Sequence, residues 1–463
     1  MTSDCSSLKL DFKLSPGRVY AGHKNDQPVR LLFSVRASDE LRTASAGLGG
    51  LDLCLVLDIS SSMEDCVGSS GLTKLQMAVQ AVQPLLALLR KNDTMSVVVF
   101  ADQAQVIASD LQPTSTADYQ RAIGTLQPSG RTAMGTALRA AAAHLRSRPV
   151  GRVRKILMLT DGQATDGDAA PNAAKELGAE KISLDVLGLN STATDFELTF
   201  CEQLVACTGG FATLITGPQD ADREFRRLLA ATLDTVASGL SLKLKFPSVI
   251  RTNDAYRGEP ENVYLGKLAL TGEREANLPL GLLERSKETK YYIDLIVPPQ
   301  NGTEGQLQLC LATLFYEIPN QPRTTLQTER SVVIQCINDP SVLNSGNSQV
   351  DVGYNIAYIK RLERDLAKAR TEAQKALAAN DDVGIKRHRD TFVAIILEII
   401  RRCASAGMIE QKKLFEDLLK QAERGELPGL GKINQAVAST TRVSISSDVG
   451  AKLRRNPFGK RFT

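Results

Sequence analysis

The chain has 463 residues, 43% of them hydrophobic and 23% charged, with 56 basic and 52 acidic side chains and a net charge of +4. That length implies roughly two to four separate cores, and the balance of apolar and charged residues excludes a disordered chain. The charge also gives no support to nucleic-acid binding by the chain as a whole: seven basic residues and one acid, Asp448, fall between Lys432 and the end, leaving the remainder at about −2.

In chain order, Leu8, Leu10, Phe12 and Leu14 alternate with polar residues, as do Val29, Leu31, Phe33, Val35 and Ala37. A period of two with one polar face predicts half-buried antiparallel strands. Residues 38–50 are polar and Gly-rich and read as a junction. From Leu51 the texture changes. The runs 51–58, 95–101, 155–161 and 182–189 are almost continuously apolar, as strands covered on both faces are. Helical patterns lie between and after them, over 72–90, 133–147, 169–178, 195–206 and 219–236. Strands alternating with helices predict a doubly wound, mainly parallel, Rossmann-like sheet for residues 50–237.

Alternation returns after Ser238, at Leu240, Leu242, Leu244 and Phe246, then at Tyr291, Ile293, Leu295 and Val297, then from Leu307 to Phe315. Residues 1–48 are too few to build a core alone. The expectation is therefore that they share one β-sandwich with 238–340, with the α/β domain inserted between them. From Val350, apolar residues step by three and four (Ile359, Leu362, Leu366; Phe392, Ile396, Ile399; Phe415, Leu418, Ala422), which predicts a helical bundle over 350–425. Residues 426–463, rich in Gly, Ser and basic side chains, read as a flexible tail. The fold class is multidomain: α/β, β and α. No window approaches about 18 uncharged apolar residues, so no membrane span is expected. The start has no basic segment followed by an apolar one, and the eight cysteines form no CxxC pair, so a cytoplasmic, reducing location is expected.

The chemistry concentrates in three segments. Asp58-Ile59-Ser60-Ser61-Ser62 follows the first buried strand, Ser129-Gly130-Arg131-Thr132 precedes the helix at 133, and Thr160-Asp161-Gly162 ends the strand 155–161. All three are expected at the carboxyl edge of the sheet, where such folds bind ligands. Ser60, Ser62 and Thr132 offer neutral hydroxyls; Asp58 and Asp161 offer charge. Hard oxygen donors of this kind suit Mg²⁺, which takes about six oxygens in a tight octahedron.

These residues resemble the metal ion-dependent adhesion site of the von Willebrand factor A family, a likeness that spans about residues 50–236. The resemblance implies that the hydroxyls of Ser60, Ser62 and Thr132 contact Mg²⁺ (with Mn²⁺ or Ca²⁺ as substitutes). It implies that Asp58 and Asp161 bind directly or through water, and that a Glu or Asp carboxylate of a partner protein completes the shell. The chain departs from the family at Ser61, where Gly is usual, and in a longer loop from Met63 to Leu72 carrying Glu64, Asp65 and Cys66. The outer segments resemble, by architecture alone, inter-α-trypsin-inhibitor-like proteins in which such a domain is joined to β-sandwich modules. The function this implies is non-catalytic, cation-dependent protein binding.

Two other classes stand beside it. A metal-assisted hydrolase or phosphatase would use Asp58 as nucleophile and Asp161 as a metal ligand. However, Ser60 stands where such phosphatases need a second carboxylate, and there is neither a Gly-rich phosphate loop with Lys nor a His-Glu-x-x-His. An RNA-binding scaffold is the weaker alternative, since basic charge gathers only in the tail. Asp166 with Asp168, or Glu64 with Asp65, would be needed for any second cation, and surface acids are the simpler reading.

Overall fold

A computed structural model describes residues 7–43, 50–66, 71–161, 164–189, 198–215, 217–321 and 325–441. Gly162, Val67 and the basic residues from Arg442 onward lie outside the described residues. Sixteen strands occur among those described: β1 (Leu8–Ser15), β2 (Arg18–Tyr20), β3 (Gln27–Ala37), β4 (Leu51–Asp58), β5 (Thr94–Phe100), β6 (Ala104–Leu111), β7 (Val153–Thr160), β8 (Ser183–Leu189), β9 (Ala212–Ile215), β10 (Thr235–Lys245), β11 (Arg251–Glu259), β12 (Val263–Lys267), β13 (Glu275–Glu284), β14 (Glu288–Val297), β15 (Gly305–Glu317) and β16 (Leu326–Ile337).

A six-stranded sheet runs β6-β5-β4-β7-β8-β9, parallel except for the antiparallel edge strand β6. Every residue of β4 is buried. Its Cys54 and Val56 enter one core, with Ile156, Met158 and the helix Met134–Arg146. Leu53, Leu55 and Leu57 enter the other, with the helices Lys74–Leu86 and Pro218–Leu233. Burial on both faces removes any reason for polar residues to alternate, hence the nearly continuous apolar run, broken by Asp52. From β4 the chain first goes to β5 on one side and later to β7 on the other. The carboxyl ends of β4 and β7 therefore flank a topological switch point, the usual ligand crevice of open α/β sheets.

The remaining strands form two five-stranded sheets, ordered β1-β3-β14-β11-β12 and β13-β10-β15-β16-β2. β3 pairs with β14 over its whole length, Gln27 opposite Val297 through Arg36 opposite Glu288, so the first strands and those after residue 235 share one sheet. The inward faces of both sheets meet in a single apolar cluster that includes Leu8, Leu31, Phe33, Leu242, Ile293 and Leu314. Arg257 of β11 is fully buried and donates to the carbonyls of Gly209 and Gly210, at 2.7 and 2.6 Å, tying this part to the turn before β9. That turn needs glycine: Gly209 has φ +73°, and a Cβ there would lie 2.3 Å from the backbone nitrogen of Gly281.

Long helices follow at Ser348–Ala378, Asp382–Ser405 and Ile409–Glu423. The first also covers the outer face of the β1-containing sheet, where Val350, Tyr354 and Ala357 pack on Leu32, Tyr256 and Tyr292. The expected tail at 426–463 needs correction in its first part. Leu430–Thr441 is a helix with Ile433, Ala436, Val437 and Thr440 buried. Three apolar side chains at helical spacing outweigh the Gly- and Ser-rich composition on which the expectation of a tail rests. Thr440 donates to Glu363, and the carbonyl of Val437 accepts from Lys360, so the segment is docked by polar contacts as well.

Candidate functional site

The site is built at the ends of β4 and β7. Asp58, the last residue of β4, has no exposed surface; its Oδ1 accepts from the Ser60 backbone N–H at 2.8 Å and its Oδ2 from the Thr160 hydroxyl at 2.6 Å. Ser60 Oγ lies 3.2 Å from Ser62 Oγ, and Ser62 Oγ donates to Asp161 Oδ1 at 2.8 Å. Four of the five expected residues are thus joined by direct contacts across two strand ends. Asp161 is itself buried, with 3% of its surface exposed.

Thr132 reaches the same rim through the backbone of its loop. Ser129 N–H donates to the carbonyl of Ile59 at 2.7 Å, and both the backbone N–H and the hydroxyl of Ser61 donate to the carbonyl of Gly130 at 3.1 Å. The serine standing where the family has glycine therefore fastens two of the three segments together. Gly130 itself has φ +76°, and a Cβ there would lie 2.4 Å from an oxygen of Asp102, so the loop can pass only as glycine. Among the described residues, no side-chain hydrogen bond links Thr132 to the other four. Its backbone N–H is engaged by Thr165 Oγ1 at 3.2 Å.

The electrostatics are strained in one place and relieved in another. Burial, with the like charge of Asp161 adding to it, pushes the Asp58 carboxyl up to about 6 from an ordinary 3.8, against the hydrogen bonds from Thr160 and Ser60. Asp161 is answered by Lys74, whose Nζ lies 2.6 Å from its Oδ2, 3.0 Å from Asp65 Oδ2 and 3.2 Å from the Ser62 carbonyl. Burial opposes the charge on Lys74, but Asp161 and Asp65 outweigh it and hold the ammonium above lysine's usual range.

Sequence reasoning missed the roles of Lys74 and Thr160. A signal for Lys74 existed. It is the first residue of a helix capped by Thr73 and Gln76, and a cation there opposes the helix dipole, so something else must hold it. Two of the four acids considered for a second cation are otherwise engaged: Asp65 pairs with Lys74, and Asp166 Oδ2 accepts the N–H of Gly135 at 2.7 Å. Among the described residues, no cluster of three or more His, Cys, Asp and Glu side chains is disposed to hold a metal, and no helix is long and apolar enough to cross a membrane. Cys54, Cys310 and Cys403 are buried thiols.

Comparison with known proteins agrees with this architecture. Residues 53–163 match the family model of the von Willebrand factor type A domain. An uncharacterized protein of Synechocystis sp. is 25% identical over 343 residues, 70% of this chain and 74% of that one. Human inter-alpha-trypsin inhibitor heavy chain H2 is 29% identical over 189 residues, 38% of this chain but only 19% of its own length. In three dimensions, a von Willebrand factor type A structure from Catenulispora acidiphila overlays 96% of this chain and 99% of its own, with a TM-score of 0.72 at 17% identity. The strand order and these likenesses agree: residues 53–163 match the von Willebrand factor type A domain, and nearly the whole chain shares its fold with the Catenulispora acidiphila structure of that type.

Proposed function

We propose that the chain is a non-catalytic binding protein whose von Willebrand factor type A domain holds one divalent cation, Mg²⁺ in the first instance, and through it an acidic residue of a partner protein. The observation that carries the reading is the contact chain Asp58–Ser60–Ser62–Asp161 at the topological switch point. Its donor chemistry fits a hard cation: two carboxylates and two hydroxyls, with Thr132 on the adjoining loop as a fifth oxygen. A second support is the buried Asp58 carboxyl, raised beside Asp161, whose charge a cation would relieve. Ser60, Ser62 and Thr132 would contact the ion, and Asp58 and Asp161 would hold it directly or through water. When bound, the ion would supply an electrophilic position for an external carboxylate.

The hydrolase alternative gains nothing from the geometry. Asp58 is wholly buried with both oxygens accepting hydrogen bonds, a poor disposition for a nucleophile. In the same reading the domain is inserted into a β-sandwich formed by the two five-stranded sheets, with the C-terminal helices as its supporting bundle. Affinity capture in Mg²⁺ followed by elution with chelator tests the function. Partner release on chelation, recovery with Mg²⁺ or Mn²⁺, and loss of capture in Asp58→Ala, with the variant still unfolding cooperatively, are expected. Capture that persists in chelator would overturn the reading.

A further inference from the structure

Lys74 is an unusual neighbour for a cation site. Its ammonium has three acceptors (Asp161 Oδ2, Asp65 Oδ2 and the carbonyl of Ser62), as many as it has protons to donate. Its side chain is 10% exposed and that of Asp161 only 1%. The pair is therefore poorly screened, and Lys74 cannot swing into bulk water without abandoning a buried carboxylate. Asp161 is left with one oxygen for the site, Oδ1, already in contact with Ser62 Oγ. With Asp58 and Asp161 ionised, the two carboxylates carry −2, and Lys74 returns one of those charges.

We propose that Lys74 is a positioning residue that sets the charge of the cation site, competing for Asp161 so that the site holds a divalent ion weakly and leaves it under-neutralised. This rests on the cation reading above. Counting the ion, Asp58, Asp161 and Lys74, a loaded site carries +1, offset only by Asp65, whose side chain is 69% exposed and screened by water; without Lys74, the two buried aspartates alone balance the ion. Lys74 thus trades cation affinity for anion capture. Asp65, in the loop that departs from the family pattern, braces the ammonium from the solvent side, at 69% side-chain exposure.

The test is a Mn²⁺ titration of the full chain at pH 7.5, with free Mn²⁺ read by electron paramagnetic resonance. Two variants are compared with the parent: Lys74→Gln, which keeps a hydrogen-bond donor for Asp161, and Lys74→Met, which keeps only the stem. Removing a unit charge one hydrogen bond away from a ligand carboxylate is expected to tighten Mn²⁺ by about tenfold or more, even at the dielectric of water. A variant that had merely lost its fold would bind more weakly, the opposite sign, and melting curves identify it. One equivalent bound by the parent and by folded variants with equal or weaker affinity in the variants overturns this inference and leaves the cation reading standing. No stoichiometric Mn²⁺ on the parent or either variant overturns both.

Discussion

The substitution Asp58→Asn isolates the electrostatic cost of the site. The carboxyl is buried beside Asp161 and is pushed up from 3.8 to about 6 in the folded chain. Two pKa units correspond to about 3 kcal/mol. The folded state binds this proton more tightly than the unfolded state, so stability is greatest below the unfolded value near 4 and falls as pH rises toward 6. The replacing amide has no such proton to lose, yet it can still accept from the Ser60 N–H and face the Thr160 hydroxyl. In metal-free buffer the variant is therefore expected to gain on the parent by about 3 kcal/mol between pH 4 and pH 7. Urea midpoints of both chains at intervals across that range measure it. Millimolar Mg²⁺ should shrink the variant's gain, because only the parent is stabilised by a ligand that binds the folded state. Parallel pH profiles for the two chains would show that the Asp58 proton is not held by the fold.

Three further outcomes follow from individual contacts. Thr132→Val keeps the volume and removes a hydroxyl that makes no hydrogen bond to the other site residues; Mn²⁺ affinity should fall at least about tenfold while the metal-free melting point stays put. Arg257→Ala strips two glycine carbonyls of their donor and empties a buried site, so thermal unfolding should reveal a loss of about 3 kcal/mol or more. Lys360→Met leaves Glu202 and Glu363 without the ammonium that sits 3.0 and 2.9 Å from them. Because burial already pushes Glu363 up to about 7, the variant's defect in melting temperature should be large at pH 8 and shrink at pH 6, where Glu363 is protonated.

What can be read from the sequence follows from how each element is buried. β4, β5, β7 and β8 are legible because both their faces are covered, so apolar residues predominate on both with few interruptions, such as Asp52 and Asp185. β6 is not, because it is an edge strand with Gln105, Ser109 and Asp110 exposed or half-exposed, and nothing in Ala-Gln-Val-Ile-Ala-Ser-Asp-Leu alternates strongly. The helix Leu430–Thr441 is hidden by its composition, although Ile433, Ala436 and Val437 have helical spacing. At the site, Asp58, Ser60, Ser62 and Asp161 are legible because each ends or follows a buried strand, which sends it to the same sheet edge. Lys74 is not. Its partners are Asp161, 87 residues on, and a loop whose path the sequence does not dictate.

In the proposed site, oxygens from three distant segments surround one ion. Crystals of the full chain grown in Mn²⁺, with anomalous diffraction recorded at the manganese edge, test it directly. A single peak is expected at about 2.1 Å from the hydroxyls of Ser60 and Ser62, with Thr132, Asp58 and Asp161 completing the shell directly or through water. A structure with those side chains placed as here and no manganese between them would contradict it.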